Sequence, residues 1–220
     1  YVEGWSQIAH DDVDAWLACQ VAGGPHEHVA AFVLPFLEPS DRRLEWLLEG
    51  MARGRADGTA LLALRHRWVA ATSASLMLRL IDACAERPES IAVAVDLVVE
   101  LLHLELDAGL RERALDLATS ALIGVTNQRV PASSEHDWHS LLSKLIQNGR
   151  SDAAIDATLS LIASRQNIGM TQLIDRSLHT IFEQGQAKQL WQGAADRLEG
   201  EDAETIAWHL GHAGALTWIP

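Results

Sequence analysis

Cysteine, lysine and the single-ring aromatics are scarce in this chain of 220 residues, and each scarcity excludes something. Only Cys19 and Cys84 are present, so no disulfide framework is indicated, and a chain of this length does not require one. Lysine occurs only at Lys144 and Lys188. Lys and Arg together number 17 against 30 Asp and Glu, a formal net charge of −13. A nucleic-acid backbone needs a basic footprint to release its counterions, so this balance disfavours such a partner. No run reaches the roughly 18 consecutive apolar residues of a membrane-spanning helix. The most apolar stretch, IAVAVDLVVELLHLEL at 91–106, is broken by Asp96, Glu100, His103 and Glu105, and it fits an amphipathic or buried helix better than a lipid-facing one. The chain opens with Glu3, Asp11, Asp12 and Asp14, where a secretory signal would have a basic start and an apolar run. A cytoplasmic setting is therefore the default expectation. The start at Tyr1 without an initiator Met fits a segment of a larger protein.

Leucine and alanine dominate what is present, while Tyr and Phe supply only Tyr1, Phe32, Phe36 and Phe182. Both abundant residues lose little conformational freedom in a helix. Helical windows alternate with short polar breaks at GGP (23–25), EPSD (38–41), GRADG (54–58), QRVPASS (128–134) and SRQNIG (164–169). Ser40 is placed to cap the helix that follows it, with Asp41 in the first turn. Pro35 should kink or end the helix before it. The valines of 91–107 favour a strand locally, but the length of the run favours a helix. About ten or eleven helices are expected, and short hinges make sequential helices antiparallel neighbours. The expected fold class is all-α, with antiparallel helical hairpins stacked as a short α-solenoid.

Gly109, Gly149 and Gly185 recur 40 and 36 residues apart, each followed five residues later by Ala114, Ala154 or Leu190. Glycine suits a tight hinge, and a small residue lets the second helix approach the first. With Trp138, Leu141, Gly149 and Ala154 in one unit, and Leu101, Gly109, Ala114, Ala118 and Ala121 in the preceding one, the pattern resembles a degenerate tetratricopeptide (TPR-like) helical repeat, a helix-turn-helix unit of about 34 residues. Ile174, Gly185, Leu190 and Ala194 continue it more loosely, and Trp208 falls at the next aromatic position. Leu142 and Leu161 stand where the family has small residues. The division expected on this basis is an irregular helical region over 1–94, with divergent repeats, and TPR-like hairpins with a C-terminal capping helix over 95–220. Trp138, Trp191 and Trp208 are expected to fill gaps between hairpins.

The resemblance implies a peptide-binding face on each first helix. Carried over residue by residue, it comprises Asp96, His103 and Asp107, then His136, His139, Ser143 and Gln147, then Gln172, Asp175, His179 and Glu183. Spacings of three, four and seven put each set broadly on one helix face. The face is acidic and rich in His, so the expected partner is a cationic protein or peptide segment. The bland reading is an ordinary solvated surface. Leu106, Ile146 and Phe182 are either apolar members of the same groove or core, and the apolar ends of an array also allow a homo-oligomer.

The leading function is a non-enzymatic binding scaffold, a sensing or assembly segment, with no cofactor. One alternative is a metal-dependent phosphohydrolase of the HD type, in which His103, His136, Asp137 and either Asp175 or Asp196 would hold a divalent ion and position an attacking water. Two adjacent residues are a weak motif, and a capping role accounts for Asp137. The other is a purely structural oligomerisation module. HEH at 26–28, HDD at 10–12 and HLGH at 209–212 contain ligand types but favour surface or capping roles. No GxSxG or phosphate-cradling glycine series is present.

Overall fold

The structure is a computed structural model that describes residues 10–56, 58–61, 63–64, 66–128, 135–163, 171–197 and 203–212. Among the described residues there are thirteen α-helices and one 3-10 turn, with no strand. The chain divides into two compact units, Tyr1–Leu117 and Ala118–Pro220.

Unit 1 contains α1 (His10–Val21), α2 (Glu27–Val33), α3 (Asp41–Ala52), α4 (Gly58–Leu61), α5 (His66–Ala71), α6 (Ala74–Ala85) and α7 (Ile91–Leu102). The division falls within α8 (Ala108–Gln128), and unit 2 continues with α9 (Glu135–Gln147), α10 (Ser151–Ala163), α11 (Thr171–Glu183), α12 (Ala187–Ala195) and α13 (Ala203–His212). In unit 1, α1 packs on α2 and α3, α3 on α2 and α6, and α7 on α5 and α6. In unit 2, α9 packs on α10 and α11, α10 on α11, α12 and α13, and α11 on α12 and α13.

Local chemistry accounts for most of the boundaries. Pro35 cannot donate a backbone hydrogen bond, and α2 gives way there to the 3-10 turn Leu34–Phe36. Ser40 Oγ accepts from the Arg43 amide at 3.3 Å and Asp41 occupies the first turn, as expected of the α3 cap. The valine-rich run is helical over Ile91–Leu102 and stops before HLEL, short of the expected extent 91–107. After the GRADG break the chain forms two short helices, α4 and α5.

Glycine hinges follow one geometry at three places. Gly54, Gly149 and Gly185 have φ of 69°, 78° and 75°, a left-handed conformation that costs a side-chain-bearing residue about 1–2 kcal/mol. At Gly149 the amide donates to Ile146 O (3.0 Å) and that of Arg150 to Leu145 O (2.8 Å), which satisfies two terminal carbonyls of α9. The same pair of bonds recurs around Gly54 and Gly185. Gly109 is a correction. It lies in the first turn of α8 instead of between two helices, because the Asp107 carboxylate accepts from the Leu110 amide at 2.9 Å and starts the helix before it. The break falls at 103–107.

The core is leucine, alanine and valine around a few large rings. Trp68, Trp138 and Phe182 are fully buried. The indole N–H of each fully buried tryptophan has a partner, Pro35 O at 3.1 Å for Trp68 and Ser177 Oγ at 2.9 Å for Trp138, so neither ring is buried at the cost of an unpaired donor. In unit 1 a buried guanidinium is a further fastener: Arg43 reaches Asp14 Oδ1 at 2.8–2.9 Å and Glu38 O at 2.8 Å, joining α1, α3 and the segment before α3. Arg87 donates to Met51 O, Arg53 to Val21 O, and Arg67 to Phe36 O at 3.0 Å. A planar fork of five donors suits such carbonyl contacts better than an ammonium does, which gives the arginine-rich, lysine-poor cation set of this region a structural use.

Candidate functional site: helix faces and furrows

The sequence-predicted face divides between the two units. In unit 1, Asp96 is half-buried on α7, while His103 follows the end of α7 and is exposed. Asp107 is exposed and its carboxylate caps α8, a structural use for that charge. In unit 2, His139 and Ser143 are half-buried and Gln147 is exposed along α9. Asp175 is half-buried on α11, with His179 and Glu183 exposed beyond it. Helices α9 and α11 pack together and are pinned by the Trp138 to Ser177 bond, so these two short stripes occupy neighbouring helices. The side chains of His136 and Gln172 lie outside the described residues. Ile146 and Phe182 are core residues, whereas Leu106 is half-buried.

Trp208 departs from expectation. It is 55% exposed because Ile206, His209 and Leu210 form the inward stripe of α13 and position 208 falls off it. The His209 ring sits edge-on to it at 4.6 Å. Trp191 is half-buried, and Trp138 alone of the three fills an interior gap completely.

Among the described residues no three of His, Cys, Asp and Glu gather into a group that could hold a metal ion. The side chains of His136 and Asp137, on which the HD reading turns, lie outside the described residues, as do those of His10 and His212. His26 and His28 are exposed. Cys19 is exposed and Cys84 is buried. Burial pushes the Cys84 thiol up to about 12, against smaller lowering influences from the Ser90 hydrogen bond and the Arg87 charge. A thiol held protonated to that extent is a packing group and not a nucleophile at neutral pH. No described helix is long and apolar enough to cross a membrane.

No family model, curated protein or solved structure matches the chain.

Open furrows indent the surface among the described residues. One, of about 650 Å³, runs between α3 and α6. A second, about 410 Å³, runs between α10 and α12, where Gly193 lets the helices approach closely: a Cβ there would meet Leu159 Cδ1 at 3.2 Å. The third, about 240 Å³, lies beside His28, Phe32 and Arg55. In the first two, most of each wall stands at positions i, i+3, i+4 and i+7: 45, 48, 49, 52 and 79, 82, 83, 86 in unit 1, and 152, 155, 156, 159 and 189, 192, 193, 196 in unit 2, with 86 and 196 one residue past their helices and Met51, Arg87 and Arg197 added. Those spacings stand in the sequence. What it does not display is which two stripes face each other, and the expected face omitted all of them.

Proposed function

We propose that the chain is a non-enzymatic helical scaffold that presents the faces of stacked hairpins to a protein or peptide partner. The observation that carries this reading is the order of helix neighbours. In both units a helix packs on the next one and on the one after that, as α1 does on α2 and α3, and α9 on α10 and α11. If α4 and α5 are counted as one broken helix, the pairs α3 with α6 and α5 with α7 follow the same rule. Alternating neighbours of this kind are what stacked antiparallel hairpins produce. The contact of α13 with α10 is an addition to that simple order. The matching hinges at Gly54, Gly149 and Gly185 support the same reading, and they extend the hairpin logic into the 1–94 region, where the repeat register is weak.

The downstream face formed by His139, Ser143, Gln147, Asp175, His179 and Glu183 is the proposed peptide surface of unit 2, with a cationic segment as its partner. Such a face raises the encounter rate of a positive partner, while neighbouring apolar surface supplies affinity. A display library of Lys- and Arg-rich peptides, titrated against the wild-type chain and a Gln147→Lys/Glu183→Lys variant, tests this. Both positions are exposed, so the variant should fold. At least tenfold weaker binding by the variant is expected. Equal binding by both proteins removes this face from the proposal, and a library without any binder removes the scaffold reading.

A further inference from the structure

We infer that the furrow between α3 and α6 is a docking groove for a short basic amphipathic helix. This deepens the scaffold reading and rests on it, but it places the partner on unit 1, at residues outside the predicted face. The two helices run in the same direction: near their N-termini the Ser73 amide donates to Asp41 Oδ1 at 2.7 Å, and near their C-termini Arg87 donates to Met51 O. Bonds at both ends fix the walls and leave the space above them as a channel of about 650 Å³.

Its floor and rims differ in chemistry. The apolar lining, the floor of the groove, is Met51, Leu48, Ala52 and Ala83, with Met51 buried and the two alanines too small to keep an incoming helix at a distance. The rims carry two carboxylates each, Glu45 and Glu49 on α3, Asp82 and Glu86 from α6, all at exposed residues. Two arginines also line it. Arg87 is engaged with the Met51 carbonyl, Arg79 is exposed, and Glu49 is shared with Arg53 at 3.8 Å. Four negative against two positive side chains leave the groove acidic, within a chain of net charge −13. An anionic ligand is therefore repelled.

A metal ion fits poorly, because the carboxylates stand on opposite walls and do not gather into an ion-sized group. An apolar floor between acidic rims matches a helix that lays a small or apolar stripe downward and holds Lys or Arg on both flanks. Each wall stripe covers about two helical turns, roughly 10 Å, which sets the minimum length of the occupant.

The test uses the full chain and three labelled peptides of about 15 residues, long enough to span the walls with a turn to spare. The first has a Leu/Ala stripe flanked by Lys, the second replaces each Lys by Glu, and the third scrambles the first. Fluorescence anisotropy should show binding of the first peptide at least tenfold tighter than of the other two. Glu49→Lys/Asp82→Lys should weaken it at least tenfold and improve the Glu peptide. Ala52→Leu, which adds bulk to the apolar lining at an exposed position and changes no charge, should weaken it comparably. Thermal melts establish that each variant is folded.

Equal affinity for the scrambled peptide, no binding by the wild-type chain, or indifference to both substitutions overturns the groove. Loss of binding only in Gln147→Lys/Glu183→Lys also overturns it, while leaving the scaffold reading intact.

Discussion

The two units reach the same local arrangement, a helix touching its next two successors, by different fastenings. In unit 1 the ties are largely guanidinium groups on carboxylates and backbone carbonyls: Arg43 on Asp14 and Glu38 O, Arg53 on Val21 O, and Arg87 on Met51 O. Among the described residues of unit 2 the ties include a neutral indole-to-hydroxyl bond between Trp138 and Ser177, buried small residues such as Ala154 and Ala194 with a close approach at Gly193, and an ion pair between Arg197 and Asp156. A buried charge is costly to strand but contributes little beyond specificity when satisfied, whereas close apolar packing stabilises in proportion to the area and contacts it buries. The comparison teaches that helix order and helix fastening are separable properties of this chain.

The contrast is open to a direct attack at its strongest point. Trp138→Ala removes a fully buried ring and leaves Ser177 without its donor, so unit 2 should lose about 3–5 kcal/mol, read as a fall in the urea midpoint. A loss below about 1 kcal/mol would mean the ring is not the keystone of α9 and α11.

The matching change in unit 1 is Arg43→Leu. It strands the Asp14 carboxylate and the Glu38 carbonyl, and because Asp14 keeps 29% of its side-chain surface in water the expected loss is smaller, about 2–4 kcal/mol. Restoring the pair's shape with Asp14→Leu in the same chain should recover part of it, since two apolar groups replace two charges. If the double variant is no better than the single, the guanidinium contributes chiefly through Glu38 O.

At neutral pH the smallest effect is that of Cys84, which shows only as an alkaline pH slope in unit 1, the unit that holds both cysteines. Cys84 stays protonated in the fold until about 12, whereas its unfolded thiol titrates near 9.0. Between those values the unfolded state binds fewer protons, so stability falls as pH rises, by about 1.4 kcal/mol per pH unit at most, and the contribution is fully present below the lower value. Cys84→Ala should flatten that part of the alkaline melting curve, and an unchanged slope would mean the thiol is not the group responsible. Alkylation at neutral pH should label Cys19 and spare Cys84 until the chain unfolds.

How much of this was legible follows from the same contrast. The sequence disclosed the all-helical class, the α3 cap at Ser40, the end of α2 at Pro35 and the hinges at Gly149 and Gly185, because each depends on residues within one turn of the boundary. It concealed the fastening of unit 1. Asp14 and Arg43, Pro35 and Trp68, and Met51 and Arg87 are separated by 29, 33 and 36 positions, beyond any periodic window.

Gly109 misled because the residues around it imitate a hinge, while the decisive atom, the Asp107 carboxylate, acts two positions earlier. Trp208 misled because an aromatic at a repeat interval implies packing, whereas the inward stripe of α13 passes through its neighbours. The face inferred from resemblance was resolved into placed residues only in part, since His136 and Gln172 lie outside the described side chains.

The shared direction of α3 and α6 has a consequence for how such a chain can lengthen. The segment joining them returns from the C-terminal end of the pair to its N-terminal end before α6 begins, so copying that stretch inserts a further rod pointing the same way. The Ser73 to Asp41 bond at one end and the Arg87 to Met51 bond at the other would act as alignment marks for the newcomer. Growth by duplication would then add new channels between successive rods and leave the older ones unchanged.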